Sequence, residues 1–416
     1  MASTSLGLGV LLLVAAAIPG EAAEIIPMYQ LSLMGGQYFF SGAKSSLNGN
    51  VQGNVAPAVK FSERWTLLPV YSVNFQGTKP VTDPVGSGTL FQQSMDHRLS
   101  VAGLYSDPGG RWKFKPSASY KAQFLKETRD EGWGDGLFDY HKAGVGFEVE
   151  DVYKDPFSVR IGYDFYYIRF PHFQSLESKS GLDPNGNPLG RETAGANVLD
   201  TLNNQFTIAA TRPFPYDNPK VSLQATYSVN YQRFADQKLV DLSGQYQSSL
   251  RQDTLQSLAV SAAHPRPVSW GGMDFRLSNR FGVGASYNGS NQNNYDASRA
   301  QFISDAYSYA TFWAGPSWSL AWGPEKAQSW TSLGFTFSRT QYLGRLVQDR
   351  TGQYLSEKQK TDRYHLSLGY GYPVAPNFSL RAQANFLWAE SNMKYEATYR
   401  YTYSTANYLV GFSYDY

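Results

Sequence analysis

The chain of 416 residues contains no cysteine. That excludes disulfide scaffolds, cysteine nucleophiles, thiolate zinc clusters and a lipidated N-terminal cysteine. Excess charge of either sign is also missing: 36 Lys and Arg face 34 Asp and Glu, a net +2. A nucleic-acid binder has to offset many phosphates, so no nucleic-acid partner is expected. Gly (38) and Pro (21) are too few for a collagen-like or low-complexity chain. Catalytic motifs are absent as well. The five histidines, His97, His141, His172, His264 and His365, pair at no metal-ligand spacing. There is no His-Glu-x-x-His, no Gly-x-Ser-x-Gly elbow and no phosphate-binding loop. Asp183 to Pro188 spaces oxygens in a faintly calcium-like way but lacks the distant Glu, and reads as a turn cluster. No metal, no cofactor and no enzymatic activity are expected.

Long apolar runs are missing after the first two dozen residues. Leu6 to Ile18 is an apolar stretch of 13 residues, too short for a membrane-crossing helix of about 20. Pro19 and Gly20 break it, and Gly20-Glu21-Ala22 offers the small residues that a signal peptidase reads. Residues 1–23 are therefore expected to be a cleaved export signal, although no Lys or Arg precedes the apolar run. Residues 24–416 are expected to form one domain.

What is present is alternation. Val221 to Gln232 places Val221, Leu223, Ala225, Tyr227, Val229 and Tyr231 on one face and only polar residues on the other. Phe378 to Trp388 and Tyr364 to Tyr372 repeat the pattern. Successive side chains of a strand point to opposite faces, so each segment is a strand with one apolar face. Aromatics make up 15% of the chain. A mean hydropathy of −0.40 hides an apolar face that alternates with a polar one. Seven short connections carry turn chemistry: 62–64, 107–110, 154–156, 215–219, 264–267, 323–326 and 375–377. Between them run longer polar stretches, including 77–90, 126–136, 171–199, 235–251, 288–300 and 344–357. The reading is all-β: an up-and-down antiparallel transmembrane β-barrel, sixteen strands, with short periplasmic turns and long extracellular loops. Few residues separate the cleavage point from the first strand near Tyr29, so a bare barrel without a plug is expected.

The chain ends Leu409-Val410-Gly411-Phe412-Ser413-Tyr414-Asp415-Tyr416. Gly411, Tyr414 and Tyr416 resemble the C-terminal assembly signal of Gram-negative outer-membrane β-barrels. Leu409 stands where that pattern has a polar residue. The closing hairpin is similar to those of porin-like and of export-type barrels. The resemblance implies the cell outer membrane as location. Its partners would be the barrel-insertion machinery, outer-membrane lipids and lipopolysaccharide, and a homo-oligomer would be compatible with it.

The polar phase carries the functional reading. Alternation turns Lys60, Lys113, Lys115, Lys121, Arg160, Arg276, Arg280, Arg363 and Arg381 inward, against Glu148, Asp164 and Asp415. Of these, Lys113, Lys115, Lys121, Arg160, Asp164, Arg280, Arg363 and Arg381 are the candidate pore-lining residues. Asp164 stands close enough in sequence to neutralise Arg160. A ring of cations in a narrow channel raises the local anion concentration. Loop carboxylates such as Glu177, Asp183 and Glu192 are the rival partners for these cations. The expected function is a porin-like channel for small solutes with a modest anion preference. The alternative is an outlet or assembly barrel for an exported polysaccharide or a surface lipoprotein. The loop 171–199 is expected to fold over or into the pore. His141, on the apolar phase of its strand, is the lone candidate for outer-wall chemistry and reads better as a headgroup-level histidine.

Overall fold

The computed structural model describes residues 23–41, 46–82, 89–126, 131–154, 157–173, 197–214, 221–296, 299–325, 327–396 and 400–416. The export segment lies outside the described residues, as does the centre of the loop 171–199 with Glu177, Asp183 and Glu192. The strands are β1 (Glu24–Ile26), β2 (Tyr29–Phe40), β3 (Ser46–Val55), β4 (Ala58–Lys60), β5 (Trp65–Thr82), β6 (Thr89–Ser106), β7 (Trp112–Lys126), β8 (Tyr140–Lys154), β9 (Phe157–Arg169) and β10 (Thr201–Phe214). They continue with β11 (Val221–Val240), β12 (Tyr246–Trp270), β13 (Met273–Ser290), β14 (Asn294–Asp296), β15 (Gln301–Ile303), β16 (Tyr309–Trp322), β17 (Ser329–Gln348), β18 (Tyr354–Ala375), β19 (Phe378–Ser391) and β20 (Tyr403–Asp415). β1 and β4 continue β2 and β3 beyond breaks at Pro27 and Pro57, and β14 pairs only with β15. The remaining sixteen, all antiparallel, form a closed barrel.

Closure is made by β2 against β20, in register from Gln30 opposite Asp415 to Phe40 opposite Thr405. Below that ladder Tyr29 N donates to Tyr416 O (2.9 Å) and Tyr416 N to Tyr29 O (2.8 Å). The two tyrosine rings stack at 5.9 Å. At the seam Gly36 lies against the Tyr408 carbonyl and Gly411 against the Leu33 carbonyl, so a Cβ at either position would collide with backbone. Gly411 therefore has a packing role at the seam, whatever reads the last strand during assembly. A closed ladder leaves no open edge, the condition for strands to stand in hydrocarbon.

The outer wall is apolar. Val145, Ile161, Phe206 and Val410 are each more than half exposed, and Phe147, Ile208, Leu258, Phe281 and Phe312 share their phase. Rings line the ends of the wall, among them Trp65 with Tyr105 (4.8 Å) and Phe378 with Phe412 (5.3 Å). An apolar band between aromatic girdles is the exterior of an outer-membrane β-barrel. His141 is on this wall, where its Nδ1 meets the Tyr120 hydroxyl at 2.8 Å. His97 repeats the arrangement with Tyr71 at 2.9 Å.

Two expectations need correction. The turn placed at His264 to Pro267 is instead at Gly271 and Gly272, with φ of 58° and 76°. Two successive positive φ values make the tight turn that suits a twisted hairpin. Pro265 and Pro267 lie inside β12, past Ala263, where its pairing with β11 ends at Ser222. Residues two apart aim their N–H groups to the same side, so both prolines leave their missing donors on that open edge. The second correction concerns strand length. β5 runs to Thr82, β11 to Val240 and β17 to Gln348, so much of three stretches read as loop is strand. Two of these hairpins end in the same turn, Asp241-Leu-Ser-Gly-Gln245 and Asp349-Arg-Thr-Gly-Gln353. Asp241 Oδ1 accepts from the Ser243 hydroxyl (2.7 Å) and from Gln245 N (2.9 Å). Asp349 Oδ1 accepts from the Thr351 hydroxyl (2.7 Å) and Gln353 N (3.0 Å). These donors hold both carboxyls below the usual carboxylate range, the hydroxyl being the largest cause.

Two apolar clusters cap the extracellular end. Leu125, Phe138, Phe173, Val198 and Leu199 bury the feet of the long loop. Ile303, Ala306 and Tyr307 pack with Leu346 and Tyr354. In the first, Asp139 accepts from Leu125 N (2.6 Å) and Gly136 N (3.1 Å), and burial pushes its carboxyl up.

Candidate functional site

The register of neighbouring strands decides which side chains share the inner face. Lys115 stands opposite Glu148, Lys113 opposite Glu150, and Lys121 opposite both Arg98 and Lys142. Glu150 is in turn opposite Arg160, and Asp164 opposite Gly146 and Gln205. The opposite phase of β7 is the exposed set Trp112, Pro116, Ala118 and Tyr120. Lys115 bridges two carboxylates, with Nζ 2.8 Å from Glu148 Oε1 and 2.7 Å from Glu150 Oε2. Lys121 Nζ donates to Gln123 Oε1 and the Tyr140 hydroxyl, both at 2.8 Å, and lies 3.7 Å from Asp96 Oδ1. Arg381 pairs with Asp415 at 3.2 Å.

These contacts correct the sequence reading in three places. The acids on this phase include Asp96 and Glu150 besides Glu148, Asp164 and Asp415. The cations include Arg98 and Lys142, the latter 3.5 Å from the centre of the Tyr166 ring. Arg160 and Asp164 form no ion pair. Lys115, Lys121 and Arg381 pair with carboxylates on the wall itself, one strand away. Among the described residues Arg98, Lys113, Lys142, Arg160, Arg280 and Arg363 have no carboxylate within ion-pair distance, while Arg276 meets Glu325 at 3.1 Å on the rim.

Two indoles lie on the same phase as these charges, which alternation alone did not single out. Trp313 lies across Gly282 and Gly284, and Trp330 across Gly369 and Gly371. Each fills a slot that a side chain would close. Trp313, Arg280, Ser317, Thr336 and Ser367 line an inner recess of about 430 Å3. A second recess, of about 410 Å3, is lined by amides of β3, β5, β19 and β20. Arg339 and Asp362 form an ion pair that faces outward: Arg339 Nε and Nη2 each meet Asp362 at 2.7 Å, on the phase of Phe337 and Tyr364.

No protein-family model and no curated protein matches the chain. Solved structures do. OmpT, an outer membrane protein of Vibrio cholerae in its trimer form, is 13% identical over 95% of this chain and 100% of that chain, with a TM-score of 0.41. A BenF-like porin from Pseudomonas fluorescens Pf-5 is 8% identical over 94% and 99%, with a TM-score of 0.45. A bacterial polysaccharide outer membrane secretin is 10% identical over 94% and 98%, with a TM-score of 0.42. At these identities the likeness concerns the fold alone.

Proposed function

We propose that the protein is a porin-like channel through which small solutes cross the outer membrane, with a modest preference for anions. The carrying observation is the inverted wall: an apolar exterior encloses an inner face of amides, hydroxyls and charges. A sixteen-stranded barrel is wide enough for side chains to leave water between them. The anion preference rests on the inner cations without a carboxylate partner, and Lys115, Lys121 and Arg381 contribute less because wall carboxylates offset them. Screening over about 8–10 Å at physiological salt keeps the preference small and strongest in dilute salt. Liposome swelling tests the reading. Vesicles containing the protein should swell in isotonic arabinose faster than in isotonic stachyose, and vesicles that swell no faster than protein-free ones would overturn it.

A further inference from the structure

On one side of the lumen six neighbouring strands, β5, β3, β2, β20, β19 and β18, contribute to the recess of about 410 Å3. Small-molecule sites run from about 300 to 1,000 Å3. Its wall is made chiefly of amides: Asn50, Gln52, Asn74, Gln76, Gln383 and Asn385. No Lys, Arg, Asp or Glu lines it, although charges crowd the wall at β6 to β9. A primary amide offers two donors and an acceptor, the complement of a hydroxyl group. An ion entering this recess gives up water and meets a single ionisable side chain, His365, among amides. A neutral polyol exchanges water for amide partners at near parity.

The amides are held ready. Asn50 stands opposite Gln76 and Gln52 opposite Asn74. Among the described residues none of the four is hydrogen-bonded to another side chain. The Oδ1 atoms of Asn50 and Asn407 are buried without any partner, a state that native structures seldom leave unfilled. Nearby amides behave differently. Asn54 donates to Gln30 Oε1 (2.9 Å), and Gln30 donates to Asp415 Oδ1 (2.8 Å), which closes a chain. Amides beside the recess thus bond other side chains, and within it Gln383 donates to Asn385 Oδ1 (3.4 Å), whereas the four amides of β3 and β5 bond none. An aromatic face adjoins them: Trp330 lies across Gly369, and Gly369 is the register partner of Gln383. Amides for hydroxyls beside an indole for an apolar C–H face are the two halves of a sugar site.

We infer that this recess binds neutral saccharides inside the channel; the inference deepens the channel reading and rests on it. The test measures current through single channels in planar bilayers with maltotriose, maltoheptaose or a polyethylene glycol of similar size. Calorimetric titration of the detergent-solubilised protein with the same sugars runs in parallel. Maltotriose should block the current in discrete events, and the glycol should not. Asn50→Ala with Asn74→Ala should weaken both blockade and calorimetric binding by roughly tenfold, from two lost hydrogen bonds. Heat-shifted gel mobility checks that the variant is folded, and Gln383→Leu replaces it if it is not. Dwell times that level off at the trimer point to a free oligosaccharide, and dwell times still rising at maltoheptaose point to a threaded polymer; either supports the site. Open channels with neither blockade nor binding would overturn the saccharide site and leave the channel standing. Sugar binding that the variant weakens, in a protein that carries no current, would overturn the channel and leave the site. Equal blockade by the glycol would overturn the chemistry argued here.

Discussion

Replacing Lys113, Lys115 and Lys121 together by Gln should reverse the field of one wall. The inner phase of β6 to β9 carries the cations Arg98, Lys113, Lys115, Lys121, Lys142 and Arg160 and the carboxylates Asp96, Glu148, Glu150 and Asp164. Six against four is +2, and the triple variant stands at −1. Lys115 matters most locally, because its loss leaves Glu148 and Glu150 without the ammonium between them. For a permeating ion about 8 Å away, each removed charge is worth about 0.5 kcal/mol in water before screening and about 0.2 kcal/mol after it. Three such charges sum to about 0.6 kcal/mol, roughly a threefold change in how each ion partitions. The assay is the reversal potential of reconstituted channels under a salt gradient. It should move toward cation selectivity, by more at low salt. A potential that stays in place, or moves toward anions, would refute the placement of these lysines along the ion path.

The remaining predictions concern assembly, packing and the hairpin tips. Deleting Tyr416 should lower the outer-membrane yield more than it lowers the stability of refolded protein, as expected of an assembly signal in the last strand, while one stacked ring is a small part of the seam; equal membrane yields would count against that signal. Gly371→Val should drive the Trp330 indole from its slot at a cost of about 1–3 kcal/mol, seen as an earlier midpoint in urea, and Gly371→Ala should cost less. The Asp241 and Asp349 carboxyls titrate below their unfolded value of about 3.9, so the order they give the two turns is complete above that pH and is lost as pH falls through the lower folded value. Amide exchange at Gln245 and Gln353, relative to intrinsic rates, should accelerate at acid pH in both turns together, and acceleration in one turn alone would break the equivalence.

Period-two alternation made the barrel readable because a lipid-facing strand cannot tolerate errors of phase: Val221 to Gln232 shows one apolar face in the sequence and in the structure. The same rule gave the phase of Lys113, Lys115 and Lys121. It could not give their neighbours, since that Lys115 meets Glu148 and Glu150 depends on cross-strand register. Asp96 and Arg98 stand on the polar phase of β6, which alternation already turns inward, but are missing from the inward set read in the sequence. Prolines misled at 265 and 267, where the strand passes the end of its partner and a missing donor costs nothing. The repeated Asp-x-Ser/Thr-Gly-Gln turns were visible as residues but lay inside stretches read as loops, because the hairpins continue beyond the apolar band, where alternation ends. Trp313 and Trp330 were not singled out by alternation. The glycines that let them lie on the inner wall are on the adjacent strand, 29 to 31 residues away for Trp313 and 39 to 41 for Trp330.

The central claim is that solutes pass along the inner wall. The cysteine-free chain allows a direct measurement: single-channel conductance of Ser317→Cys and Trp318→Cys before and after a bulky water-soluble thiol reagent. Ser317 lines the inner recess, while Trp318, the next residue, faces out. The account predicts ohmic channels from both variants and a lasting fall in conductance on modification of Ser317→Cys alone. Modified Ser317→Cys channels with unchanged conductance, or folded protein that conducts nothing, would contradict it.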